Sequence, residues 1–116
     1  MISKKYRIRK KKEVEKIFKE GKKVVLPGAG LYLKLVANDK ENTRFVFIIS
    51  KKVSSKAVLR NKLKRRLSEI VRINLERIKK GFDVAVVVFS RIEKEDLPRY
   101  ENDFERLLIK SGILKK

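Results

Sequence analysis

The sequence contains no cysteine, no histidine, no tryptophan and no glutamine, and only 14 acidic residues stand against 33 lysines and arginines. Without cysteine there is no disulfide framework and no thiol chemistry. Without histidine, the commonest general base and the commonest transition-metal ligand are missing, so catalysis by side chains is not expected. No apolar run approaches the roughly 20 residues that span a bilayer. Met1-Ile2-Ser3-Lys4-Lys5 carries charge with no apolar core behind it, so no signal peptide is read, no membrane partner is expected, and a cytoplasmic location follows. The missing glutamine, beside abundant Lys and Glu, points to a thermophilic source.

What is present is positive charge. The formal net charge is +19 over 116 residues, and self-repulsion of that size opposes compaction unless a polyanion offsets it, which makes nucleic acid the expected partner. The length suits one domain, residues 1–116, with enough chain to bury a core without a metal or a disulfide. Residues 1–12 read as a basic arm, ordered only in part, because Lys4, Lys5, Arg7, Arg9, Lys10, Lys11 and Lys12 leave little room for apolar side chains.

Beyond the arm, Val14, Ile17 and Phe18 recur at helical spacing, which predicts a helix from about Lys10 to Glu20 stopped by Gly21. After the breaker cluster Leu26-Pro27-Gly28-Ala29-Gly30, residues Leu31, Leu33 and Leu35 alternate with Tyr32, Lys34 and Val36, so Tyr32 lies opposite the leucine face of a strand. Arg44 to Ser50 reads as a second strand, apolar on both faces over Phe45–Ile49 as a central strand should be, and joined to the first as a hairpin through the Asn38–Asn42 turn. Ser54 or Ser55 would cap a long helix from about Lys56 to near Lys80, ending at Gly81. Phe82–Phe89 is a β-branched run suited to the sheet interior. A last helix from about Leu97 to Ser111 has Asp96 as cap, Pro98 in its first turn and Gly112 past its end. The order is α-β-β-α-β-α, with room for a short strand at Val24 and Val25, giving an α+β sandwich around a central sheet.

The densest cationic segment lies inside the long helix, at Arg60-Asn61-Lys62-Leu63-Lys64-Arg65-Arg66. Leu59, Leu63, Leu67, Ile70 and Val71 form a core stripe, while Asn61, Lys64, Arg65, Ser68 and Arg72 fall on the opposite face. A solvated face normally mixes signs for i, i+4 pairing, yet only Glu69 offsets the cations here, pairing with Arg65 or Arg72. Cations near a helix N-terminus also oppose the helix dipole unless phosphate is the partner. Lys51, Lys52 and Lys56 extend the same surface on the loop before it.

A second candidate surface carries Phe18 and Tyr32 beside Arg7, Arg9 and Lys12. Aromatics next to cations stack unpaired bases, although pattern alone places Phe18 in the core equally well. The acidic loop Asn38–Asn42 lacks the glycine and terminal acid of a calcium loop. Two other classes stay open: a structural RNA-binding protein such as a ribosomal component, and a small nuclease using Asp39, Glu41, Asp83 or Asp96 around a metal.

Ser50-Lys51-Lys52, Lys56-Ala57-Val58 and Arg60-Asn61-Lys62-Leu63-Lys64-Arg65 resemble the signature of the protein subunit of bacterial ribonuclease P, in which Arg-Asn-x-x-Lys-Arg opens a helix. The likeness extends to Arg7–Glu13, Ile17–Gly21, and Gly81-Phe82-Asp83 before a valine-rich strand. The resemblance implies a ribosomal-protein-like fold with a left-handed β-α-β crossover, against the usual right-handed rule. It implies a noncatalytic protein partner, one per RNA, of a catalytic RNA that removes the 5′ leader of precursor tRNA with Mg²⁺. It assigns Lys51, Lys52, Lys56, Arg60, Asn61, Lys64, Arg65, Ser68 and Arg72 to the catalytic RNA, and Arg7, Arg9, Lys12, Val14, Phe18 and Tyr32 to the leader. No protein ligand to the metal is named by it. Three positions depart from the family pattern: Ser68 replaces a common arginine, for which Arg66 or Arg72 could substitute, Val14 replaces a common phenylalanine, and Phe89 lies near a common arginine.

Overall fold

The computed structural model describes residues 2–115; Met1, at the head of the expected arm, and Lys116 lie outside them. Helix α1 (Lys11–Glu20) is followed by strands β1 (Lys22–Val24), β2 (Leu31–Ala37) and β3 (Arg44–Ile49), helix α2 (Ala57–Ile73), strand β4 (Phe82–Val88) and helix α3 (Leu97–Lys110). The sheet order is β1-β2-β4-β3. β1 and β4 both run antiparallel to β2, while β3 runs parallel to β4. The short strand anticipated near Val24 is therefore present as β1.

The expected hairpin between β2 and β3 is not formed, because β4 lies between them. Val84, Ala85, Val86 and Val88 of β4 are buried, whereas most of β3 is only half-buried. Phe45–Ile49 of β3 is apolar on both faces and is expected at the centre, yet it lies at the sheet edge, and β4, buried by helices on both sides, takes the central place. The Asn38–Thr43 segment crosses beneath the start of β4. The Asn38 N–H donates to the Gly81 carbonyl (2.8 Å), the Thr43 hydroxyl donates to the Lys79 carbonyl (2.5 Å), and the Phe82 N–H donates to Thr43 Oγ1 (3.1 Å).

One sheet face, carrying Leu31, Leu33, Leu35, Phe45, Val84, Val86 and Val88, packs on α2 and α3 around Leu63, Leu67, Tyr100, Phe104, Leu107 and Leu108. The other face meets α1 through a smaller cluster of Ile8, Ile17 and Ala85, flanked by Val14, Phe18, Val36, Val46 and Val87. The arm is more ordered than its composition suggests. Ile2 and Ile8 are buried, and the Ile8 N–H donates to the Phe45 carbonyl (2.9 Å), so the arm caps the open edge of β3 where it passes Phe45.

One helix end and two caps differ from expectation. α2 ends at Asn74, well before Gly81, because the buried Asn74 amide donates to the Ile70 carbonyl (2.7 Å) and satisfies a terminal acceptor. Neither serine caps α2: Lys56 is the N-cap residue, and Ser54 Oγ accepts the Lys56 N–H (3.2 Å) just outside the helix. Asp96 does stand at the N-cap of α3, but its carboxylate accepts the Glu93 N–H (2.8 Å) in the preceding turn and makes no bond to the α3 backbone. Gly21 does close α1, but with φ −73°, so left-handed backbone is not the reason. A Cβ there would collide with the Ile17 carbonyl oxygen and crowd that of Leu35.

α1 is fastened to the sheet by charge. Arg44 on β3 bonds Glu13 of α1 (2.7 Å) and Asp83 of β4 (2.8 and 3.0 Å), and Asn38 donates to the same Asp83 carboxylate (2.7 Å). Hydrogen bonding to Asp83, reinforced by Glu13, raises the Arg44 pKa above its already high usual value.

Candidate nucleic-acid interface

On α2, Asn61, Lys64 and Arg65 are exposed together and border a shallow depression of about 450 Å³ with Val58. No carboxylate lines it. Val58 is 78 % exposed, an apolar spot amid the cations. Lys51, Lys52 and Lys56 are exposed on the entering loop. Arg60 is half-buried, and its guanidinium donates to the Ser54 carbonyl (2.6 Å), so it braces that loop as well as adding charge.

Of the expected face, Ser68 is buried and Arg72 is ion-paired. Ser68 is only 3 % exposed. It sits beside the arm and β3, in a notch of about 210 Å³ lined by Arg7, Arg9 and Lys64 among others. It is expected opposite the core stripe, but helical spacing puts it on the flank, three residues before Val71, and the arm and the β3 edge close over that flank. Arg72 bonds Glu69 through its Nε (2.9 Å) and Nη2 atoms, which raises the arginine pKa and lowers that of the carboxylate. Arg66 is likewise engaged, with Glu101 of α3 (2.7 Å). Both arginines are thus held in partly exposed ion pairs on the surface.

Of the second group, Phe18 and Tyr32 share the α1 side of the sheet. Phe18 is half-buried in the α1 cluster, and the Lys34 ammonium donates to its carbonyl (2.6 Å) while lying 5.8 Å from its ring centre. Val14 packs in the same cluster. Tyr32 pairs across the sheet with Val87, and its ring lies 5.9 Å from that of Phe89, which is 56 % exposed. The face is therefore covered by α1 at Phe18 and open toward Tyr32.

Arg7 and Arg9 belong instead to the notch shared with Lys64 and Ser68. The Arg7 Nε there is buried without a hydrogen-bond partner. Lys12 is exposed two residues from Val14, on the solvent side of α1. Sequence reasoning thus divided the basic residues by chain position, whereas the fold joins arm and α2 across one notch. It also passed over Lys34 and Lys23. Lys34 was accessible through its i+2 relation to Tyr32. Lys23, 4.5 Å from the Tyr32 ring centre, depends on the β1–β2 pairing and left no local signal.

The acidic residues offered for a nuclease do not converge. Asp83 is committed to Arg44 and Asn38, and among the described residues no three carboxylates gather into a metal-holding group. No helix of the described residues is long and apolar enough to cross a membrane.

Comparison with known proteins agrees with this geometry. A "Ribonuclease P protein component" from Syntrophomonas wolfei is 35% identical over 116 residues, spanning 100% of this chain and 95% of its relative. One from Finegoldia magna is 36% identical over 96 residues, covering 83% and 80% of the two chains. Among solved structures, the Staphylococcus aureus RNase P protein superposes with a TM-score of 0.81 at 26% identity, covering 95% of this chain and 98% of that one. The Thermotoga maritima RNase P protein gives 0.66 at 32% identity, with 91% of each covered. The four-stranded mixed sheet with three helices is thus an architecture shared with solved RNase P proteins. With the Ribonuclease P family model matching residues 2–112, nearly the whole fold and both basic surfaces, the chain belongs to the ribonuclease P protein family.

Proposed function

We propose that this protein is the RNA-binding cofactor of a bacterial ribonuclease P, binding the catalytic RNA with one surface and the 5′ leader of precursor tRNA with another. The observation that carries the reading is the exposed α2 face of Asn61, Lys64 and Arg65, cationic and without a bordering carboxylate. Such a face suits a phosphate backbone, where each neutralised phosphate releases counterions. Lys51, Lys52 and Lys56 extend it, and Arg60 holds the loop that presents them. The half-open aromatic face of Phe18 and Tyr32, with Lys34 between them, suits single-stranded RNA, whose bases stack on rings and whose phosphates meet ammonium groups.

In this reading the RNA subunit cuts the phosphodiester and uses Mg²⁺ as Lewis acid and water activator. The protein contributes substrate affinity and charge compensation. Direct ligation of Mg²⁺ by the protein is not part of the reading, since its described carboxylates are dispersed or paired. The reading also includes a cytoplasmic location, one protein per RNA, and a left-handed β3-α2-β4 crossover of the ribosomal-protein-like kind; the support for each is family membership.

The test is cleavage of a 5′-extended precursor tRNA by a bacterial ribonuclease P RNA at low Mg²⁺, with and without the protein, beside a protein-only control. Stimulation that requires the RNA is the expected result. Tight binding to another RNA with no stimulation would replace the reading with a structural RNA-binding role. Cleavage by the protein alone would overturn the noncatalytic assignment. Within the complex, Tyr32→Ala should weaken precursor tRNA relative to mature tRNA by about 1–3 kcal/mol, the usual loss for one stacked base.

A further inference from the structure

The aromatic face does not end at Tyr32. Lys23, Tyr32 and Phe89 wall a pocket of about 180 Å³ floored by Leu26, Ala29 and Leu31. The Tyr32 and Phe89 rings are tilted 39° to one another at 5.9 Å, and the Lys23 ammonium stands 4.5 Å from the Tyr32 ring centre. The position of Phe89 is built into the fold: its N–H and that of Ser90 both donate to the Gly30 carbonyl (3.0 and 3.3 Å). A second depression of about 230 Å³ adjoins this pocket, sharing Lys23 and Val25 and bordered by Lys22, Lys110 and Ser111. The Lys110 ammonium is anchored there on the Val25 carbonyl (2.6 Å). No carboxylate lines either depression.

We propose that this pocket is an additional nucleotide subsite: one unpaired base of single-stranded RNA lies against Phe89 and Tyr32, and its backbone phosphate rests on the Lys22–Lys23–Lys110 shelf. The proposal rests on the leader-binding reading and extends its path past the α1 cleft, over the β1 edge, toward the C-terminal end of α3. Charge selects the occupant. Two aromatic walls with ammonium groups on one side, and no acidic partner for a basic peptide, suit a π-face flanked by phosphate. Tyr32 borders both the cleft face and the pocket, so a strand lying along the first is led into the second.

The experiment measures the affinity of the assembled RNA–protein complex for precursor tRNAs whose leaders are shortened one nucleotide at a time, using wild type, Phe89→Ala, Phe89→Tyr and Tyr32→Ala. For Phe89→Ala the rise of affinity with leader length should stop one nucleotide sooner. The ratio of long-leader to short-leader affinity should fall about fivefold or more, with Phe89→Tyr restoring it. An unshifted melting temperature separates this loss from unfolding. A Phe89→Ala profile that superimposes on wild type, while Tyr32→Ala loses affinity, would remove the subsite and leave the leader reading intact. Superposition of both variants on wild type would remove both. Equal weakening of precursor and mature tRNA by Phe89→Ala would assign the pocket to another contact and overturn the proposal.

Discussion

Replacing Arg44 with alanine should be among the most damaging single changes to this fold, although Arg44 is one of 33 cations in a chain with a +19 net charge. The side chain is 13% exposed, with Asp83 at 10% and Glu13 at 26%. Truncation removes its bonds to both carboxylates and leaves Asp83 buried with only Asn38 as side-chain donor. Breaking a buried ion pair from one side costs about 3–5 kcal/mol. Glu13 is exposed enough to regain water, which places the expected loss near the lower figure, about 3 kcal/mol. Against a total stability of about 5–15 kcal/mol, and with about 4 °C per kcal/mol for a domain of this size, the melting temperature should fall by about 10 °C. Thermal and urea melts followed by circular dichroism at fixed ionic strength measure it. The sign is informative, because removing a cation relieves general repulsion; if that term dominated, Arg44→Ala would be neutral or stabilising. A shift below about 2 °C would refute the argument that this local network outweighs net charge.

The remaining expectations concern charge, packing and pH. Arg65→Ala should weaken RNA binding and lower the slope of log K against log salt by about 0.7–0.9, one phosphate contact, and an unchanged slope would remove α2 from the interface. Arg60→Ala should lower thermal stability more than Arg65→Ala does, since only Arg60 holds the Ser54 carbonyl; equal melting temperatures would contradict this. Gly30→Ala should cost about 1–3 kcal/mol in a urea melt, because a Cβ there would overlap the buried Tyr100 ring. Burial holds the Tyr100 phenol above its ordinary value of 10.0. The folded state therefore keeps that proton to higher pH than the unfolded chain. The Tyr100 contribution is fully present below about pH 10 and is lost as pH rises through the folded value. Tyr100→Phe should flatten the alkaline fall of stability, and an unaltered slope would exclude this source.

The elements were legible because their signals are local. Alternation in Leu31–Val36 named the buried face of β2, and the Arg-Asn-x-x-Lys-Arg segment named the cationic helix. Pairing was not legible: the Phe45–Ile49 run of β3 is apolar on both faces and suits a central strand as well as β4 does, yet β3 takes the edge and β4 separates it from β2. The end of α2 was overrun because Ile78 continues an apolar spacing past Asn74, while the Asn74 bond to Ile70 that stops the helix has no distinctive spacing. Ser68 lies on the flank of the core stripe, three residues before Val71, where helical spacing alone does not decide burial. Burial from a second direction, by the arm and the edge of β3, is a tertiary fact.

That second direction couples the two proposed RNA surfaces. The arm contacts β3 through Ile8 at Phe45 and runs directly into α1, whose Glu13 returns to Arg44 on the same strand. β3 thus holds the arm at Arg7–Ile8 through Phe45 and the first turn of α1 at Glu13 through Arg44, the two points that flank Arg9. Arg7 and Arg9 face Lys64 and Ser68 across the notch. Loosening these contacts should therefore disturb leader binding and catalytic-RNA docking together, whereas neutralising Arg65, exposed on α2 outside the notch lining, should affect docking alone. Arg44→Ala distinguishes a coupled pair of surfaces from two independent ones: coupling requires that its loss of precursor affinity exceed what the unfolded fraction accounts for. An Arg44→Ala protein that binds leader normally whenever it is folded would show instead that α1 holds its place through the Val14, Ile17 and Phe18 contacts with the sheet.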